Sequence, residues 1–344
     1  TLDSRIAFKF TRGNWDTVEV SSQLKDVENR LLPQVDAGAL KPGEQPTIEL
    51  TVASWHDQLP TDDNAKRTSP YREVKVAGGR IERVQVVGGG YPLTRDLLVW
   101  LPPGYDDASS AGRDYPVLYM QDGQNVFEQY PGTPGEWQAD EAATRLIVDG
   151  KIEPIIIVGI PHAGVGRAQE YSPVTLKNHG PRADEYVRFL VNEVVPRVER
   201  AYRARPGAEN RAIGGSSLGG LVSLYAAFRN SGVFGKVLAE SPSLSLDGHD
   251  VWDEVMSVAP LAPGAVWLGV GGHEIAKTDE APAMQLNAEV VEHVRKLDGW
   301  IAQKFPATQH KFTVDDKAQH DERAWAARFP AALEFLFPVK PAAK

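Results

Sequence analysis

Residues 210–230, NRAIGGSSLGGLVSLYAAFRN, constrain the chain more than any other stretch. Arg211 to Ile213 is a short β-prone run that Gly214 and Gly215 break, and Leu221, Val222, Leu224, Tyr225 and Phe228 then recur at helical spacing. A strand, a glycine turn and a helix in succession is the context in which Gly-x-Ser-x-Gly places a serine on a strained elbow with its hydroxyl projecting from the top of a sheet. Only the register Gly215-Ser216-Ser217-Leu218-Gly219 fits, so Ser217 is the candidate nucleophile. The glycines two residues to either side are required where backbones pass too close for a Cβ. The helix that follows aims its first amides at the same spot, which favours negative charge. The amide of Leu218 is thereby a candidate oxyanion donor. A flexible Gly/Ser loop is the plainer reading of the pentapeptide alone; the strand before and the helix after argue against it.

A serine of this kind needs a base, and the base needs an orienting acid. The chain order on such a sheet is serine, acid, histidine, each just past the carboxyl end of a strand. Of the eight histidines, His249, His273, His293, His310 and His320 follow Ser217. His293 falls inside a predicted helix and His310 precedes the last predicted strand, KFTV. His320 follows that strand, in KAQHDERAW, and is the candidate base; Asp321 beside it reads as a helix N-terminal residue. Glu274 is the first carboxylate after the strand AVWLGVGG and is the candidate acid, with Asp279 and Glu280 further out as surface charges. The second oxyanion donor is expected in the turn Asp122-Gly123-Gln124 after PVLYMQ, from the Gln124 amide; on spacing alone an ordinary turn fits equally well.

The rest of the chain divides in two. Residues 1–90 read as β: RIAFKF, TVEV, TIELTV and RIERVQVV (80–87) alternate apolar and polar positions between Pro, Gly and Asp turns. A small β-sandwich is expected there, followed by a catalytic domain over 91–344. From residue 91 strands and helices alternate, which predicts a mostly parallel, doubly wound α/β sheet. The predicted strands are RDLLVWLP, PVLYMQDG, PIIIVGI, KVLAES, AVWLGVGG and KFTV, and the helices cover about 137–148, 182–203, 281–297 and a last one kinked or broken at Pro330. Length permits this, since a single α/β domain takes up to ~250 residues and the chain has 344.

Composition excludes several function classes. A net charge of −9 argues against nucleic acid or an anionic membrane as partner. No apolar run approaches the length of a membrane span. Without cysteine there are no disulfides, thiolate metal sites or cysteine nucleophiles. No HExxH and no close histidine–carboxylate cluster is visible, so neither metal nor organic cofactor is expected. The chain begins at Thr1, with no signal peptide in view; a removed leader would place it in the periplasm or outside the cell. Oligomeric state cannot be read from the sequence.

Together VWLPPGYD, PVLYMQDGQNVFE, the Trp137 helix, GRAQEYSP, GGSSLGG, GVGGHE and AQHDERAWAARFPAALEFLF resemble the esterase D-like α/β hydrolases over roughly residues 91–338. That superfamily includes ferric-enterobactin, feruloyl and acetylxylan esterases, S-formylglutathione hydrolases and mycolyltransferases. The resemblance implies a carboxylic-ester hydrolase with Ser217, Glu274 and His320 as its triad, the amides of Leu218 and Gln124 as its oxyanion hole, and Arg167, Glu170 and Tyr171 bordering the substrate. A surface ion pair and a packed tyrosine is the plainer reading of that last segment. The feruloyl or acetyl esters of polysaccharides and siderophore lactones are the alternative substrates. A non-catalytic carbohydrate-binding or scaffold protein is the alternative of another class, and it would not need to keep all three triad residues. The N-terminal FKFTRGNWDTVEV, with VENR and TVASWHD, resembles starch-binding-like or early-set sandwiches; Trp15 and Trp55 read as sandwich core rather than a sugar platform.

Overall fold

The computed structural model describes residues 74–86, 95–129, 135–176, 180–246, 249–251, 261–275 and 281–339, together with 7–8, 19–20, 30–31, 52 and 54–55. The chain divides into two compact units, Thr1–Glu73 and Val74–Lys344. Within the first, Ala7–Phe8 pairs antiparallel with Arg30–Leu31, and Glu19–Val20 with Ser54–Trp55. The remainder of the expected sandwich, Trp15 included, lies outside the described residues.

An eight-stranded mixed sheet with helices organises the second unit, which has an α/β-hydrolase fold. Its strands are β1 (Arg80–Val86), β2 (Arg95–Leu101), β3 (Val117–Gln121), β4 (Ile156–Ile160), β5 (Arg211–Ser216), β6 (Lys236–Glu240), β7 (Ala265–His273) and β8 (Gln309–Gln319). Their order across the sheet is β8-β7-β6-β5-β3-β4-β2-β1. The five pairings from β8 to β4 are parallel, and β4–β2 and β2–β1 are antiparallel. The stretch 80–87, read from sequence as part of the sandwich, is therefore corrected: Arg80–Val86 is the edge strand of this sheet, paired along its whole length with β2. An edge strand with one covered face alternates like a sandwich strand, so its pattern alone does not say which sheet it joins.

The alternation of side chains along the strands feeds two cores. On one face Leu97, Val99, Leu101, Tyr119, Ile213 and Val237 pack with helices α3 (Ala183–Phe189), α4 (Val195–Ala201), α5 (Leu218–Arg229) and α6 (Ala281–Lys304). On the other, Leu98, Trp100, Leu118, Met120 and Trp267 pack with α1 (Ala139–Val148) and α7 (Glu322–Leu336). A π-helical turn, Leu190–Val194, joins α3 to α4. Of the kink or break expected at Pro330, the break does not occur. Helix α7 continues through it, because Trp325, Phe329 and Leu333 on either side are buried, Phe329 edge-on to Trp137 at 5.4 Å. Among the described residues no helix is long and apolar enough to cross a membrane.

Candidate active site

The parallel strands finish at one edge of the sheet, and the candidate residues stand just past five of them. Asp122 follows β3, Ser217 follows β5, Ser241 follows β6, Glu274 follows β7 and His320 follows β8. Ligands of open α/β sheets bind outside such carboxyl ends.

Ser217 has φ 56° and ψ −125°, a conformation costly for any residue with a Cβ. Its surroundings enforce it. The Ser217 amide donates to the Glu240 carbonyl at 3.0 Å, and its carbonyl accepts from Leu221 at 3.0 Å and from Ser243 at 3.1 Å. A Cβ on Gly215 would come within 2.9 Å of Gln121 Cβ and of the Gly219 backbone, so the turn closes only with glycine there. Helix α5 begins at Leu218 and is buried from Gly219 to Phe228, which anchors the elbow in the core.

Glu274 and His320 meet. Glu274 Oε2 lies 2.5 Å from His320 Nδ1, with the Glu274 side chain fully buried and the His320 side chain 35% exposed. The other carboxylate oxygen accepts from the Ser241 hydroxyl at 2.7 Å and the Gly271 amide at 2.5 Å. Burial by itself would push this carboxyl up. The hydrogen bond and charge of His320, with the Ser241 and Gly271 donors, outweigh it and hold Glu274 below the usual glutamate value. Trp325 completes the support: its Nε1 donates to Ser241 Oγ at 3.1 Å, and its ring stands edge-on to His320 at 5.3 Å. Asp321 caps α7 by accepting from the Ala324 amide at 3.0 Å, so the helix starts directly after the histidine.

Among the described residues no hydrogen bond joins Ser217 to His320. The Ser217 hydroxyl lies 3.2 Å from that of Ser243. Such bonds are often long in the free enzyme and tighten on substrate binding.

Behind Glu274 a second carboxylate, Glu240, is buried between Arg328 Nε at 2.7 Å and Trp267 Nε1 at 2.8 Å. Burial raises its pKa, and the Arg328 and Trp267 contacts oppose the rise.

The turn after β3 is a 3-10 segment, Gly123–Asn125, preceded by Asp122 at φ 55°. Gln124 is half-buried there, and its side-chain oxygen accepts from the His162 amide at 3.3 Å. Asn125 Nδ2 donates to Glu322 Oε1 at 3.1 Å, tying this turn to the start of α7 beside His320.

The segment 167–171 forms a short helix, α2 (Arg167–Tyr171), which the sequence did not reveal. Glu170 is 1% exposed and sits on Arg95, both carboxylate oxygens within 2.7 Å of Nη2. Tyr171 is wholly buried, and its hydroxyl accepts from the Asp122 amide at 3.3 Å. Both side chains are therefore buried, the tyrosine packed as in the plainer reading and the glutamate paired inside the fold and not at its surface. Arg167 is partly exposed and binds Asp122 through two nitrogens, at 2.7 and 2.8 Å. Asp279 and Glu280 lie outside the described residues.

Sequence reasoning missed Ser241, Ser243, Trp325 and the pairing of Asp122. Ser241 carried one usable signal, its place immediately after KVLAE at the same sheet edge as Ser217. Among the described residues no group of three or more His, Asp or Glu is arranged to hold a metal ion.

The comparisons with known proteins agree with this architecture. A family model described as "Putative esterase" matches residues 93–336. The uncharacterized protein YbbA of Bacillus subtilis (strain 168) is 22% identical over 253 residues, 71% of this chain and 92% of YbbA. Two solved structures share the fold. The ferulic acid esterase AmCE1/Fae1A of Anaeromyces mucronatus superposes with a TM-score of 0.54 at 21% identity, covering 78% of this chain and 93% of its own. The enterobactin esterase FES of Shigella flexneri gives 0.53 at 17% identity, covering 75% and 59%.

Proposed function

Since this chain belongs to the esterase family and is a hydrolase acting on esters, we propose that it works as a serine carboxylesterase through Ser217, His320 and Glu274. The observation that carries the assignment is the 2.5 Å contact between His320 Nδ1 and the buried Glu274 carboxylate, at the same sheet edge as the strained Ser217. With Nδ1 bound to the carboxylate, His320 Nε2 is free to take the Ser217 proton as the hydroxyl attacks the ester carbonyl. Glu274 fixes that tautomer and stabilises the imidazolium. The amides of Leu218, at the start of α5, and Gln124 stabilise the oxyanion. Collapse of the tetrahedral intermediate expels the alcohol with a proton from His320. Water then attacks the acyl-enzyme by the same route and releases the acid.

The geometry of Ser217 is consistent with this reading. Its hydroxyl lies 3.2 Å from that of Ser243, and rotation between staggered χ1 wells can offer it another partner. The chain's similarity to a ferulic acid esterase and to an enterobactin esterase favours two substrate classes, feruloyl esters of polysaccharide and catecholate siderophore lactones. A panel of p-nitrophenyl acyl esters, methyl ferulate, acetylated xylan and enterobactin tests the proposal. Turnover of at least one ester by the wild type, lost in His320→Ala, is expected; no turnover on any of them would refute it.

A further inference from the structure

Asp122 and Arg167 form an ion pair at the turn after β3. Asp122 is the first residue of the oxyanion turn. Its left-handed backbone is one that Asp tolerates better than most residues with a side chain. Its carboxylate folds back onto the nucleophile helix: an ideal Cβ on Gly219 would lie 2.9 Å from Asp122 Oδ2. Gly219 directly follows Leu218, so this carboxylate stands near the start of α5, whose Leu218 amide the proposed mechanism uses for the oxyanion. Two negative charges near one another repel more strongly where water is partly excluded. A second acid, Glu322, is nearby and feels the charge of both Asp122 and His320; burial first, and then Asp321 and Asp122, push its carboxyl up.

Arg167 answers this. Its guanidinium forks onto both Asp122 oxygens, the geometry that most strongly fixes a carboxylate. It is held over the ring of Tyr171 at 5.1 Å, and the Tyr171 hydroxyl in turn accepts the Asp122 amide. Burial would favour the neutral form of Arg167, but the charge and hydrogen bonds of Asp122 keep it cationic. Helix, tyrosine and arginine thus form a brace on the oxyanion turn.

We propose that Arg167 is a positioning residue that neutralises and orients Asp122, so that the oxyanion forms beside a paired carboxylate and not a bare one. This rests on the serine-esterase reading above. The test is a double-mutant cycle of Arg167→Met and Asp122→Asn, with p-nitrophenyl acetate as a substrate too small to make remote contacts. Arg167→Met should lower kcat roughly 10- to 100-fold, comparable to losing part of an oxyanion hole, with KM within about threefold of wild type. Asp122→Asn added to it should restore most of the lost kcat, because the uncompensated charge is gone. A rise in KM with kcat retained, or a double variant whose loss is the product of the single losses, overturns the proposal. If Arg167→Met does not fold, Arg167→Lys replaces it. That variant keeps the charge without the fork, so a kcat within about tenfold of wild type is expected and a larger loss counts against the proposal. Wild-type turnover and labelling of Ser217 in the same preparation separate failure of this pair from failure of the esterase mechanism.

Discussion

His320 Nδ1 and Glu274 Oε2 lie 2.5 Å apart although 46 residues separate them in sequence, and the carboxylate is sealed from solvent while the imidazole is not. Glu274 thus lies in the core and His320 towards solvent. Glu274→Gln keeps the shape and removes the charge. Turnover should fall by up to ~10⁴-fold, as when a triad acid is neutralised, with a smaller change in KM. Steady-state kinetics of the variant check it, and near-normal kcat would remove Glu274 from the triad.

Ser241→Ala tests the layer beneath. The hydroxyl donates to Glu274 and accepts from Trp325 Nε1, so its loss leaves a buried indole N–H without that partner and costs ~1–3 kcal/mol. It also removes a donor that lowers the Glu274 pKa. The acid limb of kcat/KM should therefore move to higher pH. Thermal melts and a pH–rate profile are the measurements; a profile superimposable on wild type would count against the coupling.

Gly215→Ala places a Cβ within 2.9 Å of both Gln121 and the Gly219 backbone. Neither neighbour can move without disturbing β3 or the start of α5. A loss of ~1–3 kcal/mol in stability is expected from such overpacking, with activity falling further than the fraction unfolded explains. Denaturant melts alongside activity on p-nitrophenyl acetate decide this.

The two carboxyls act oppositely on stability as pH changes. Glu274 is held below its ordinary 4.5, so its contribution is present above that value and is lost as pH falls through the lower folded pKa. Asp140, at the start of α1, is pushed up to about 7 by burial, against the opposing Ala77 amide at 2.6 Å, with Glu141 adding to the rise. Its folded form holds a proton that the unfolded chain has released, so stability declines as pH rises from about 4 towards 7. Asp140→Asn should flatten that decline, melting higher than wild type at pH 8 with the gap closing near pH 4. An unchanged slope in thermal melts across this range would contradict the assignment.

How far the sequence was legible depended on how local each constraint is. The elbow was legible because its glycines, serine and helix are contiguous, and each has a steric reason. The place of His320 between the last strand and the last helix was legible from chain order, since β8 ends at Gln319 and α7 begins at Glu322. The strand KFTV was recognised, but its extension to Gln319 was not, because the added residues DDKAQ are mostly polar at an edge position. The contacts that hold the site were not legible at all. Trp325 to Ser241, Arg328 to Glu240 and Arg95 to Glu170 span 84, 88 and 75 residues, and only the folded sheet brings them together. For the same reason Glu170 reads as a surface charge in sequence and is a buried one in the fold.

In the proposed mechanism Ser217, and not one of its hydroxyl neighbours, forms the acyl-enzyme. Ser216 precedes it in the chain, and Ser243 Oγ is 3.2 Å away, so these are the hydroxyls to tell apart. Reaction of the intact protein with a fluorophosphonate probe, followed by peptide mapping by mass spectrometry, distinguishes them directly. One adduct is expected, on Ser217, absent in Ser217→Ala together with ester turnover and retained in Ser216→Ala. An adduct on Ser216 or Ser243 in the wild type, or turnover by Ser217→Ala near the wild-type rate, would contradict it.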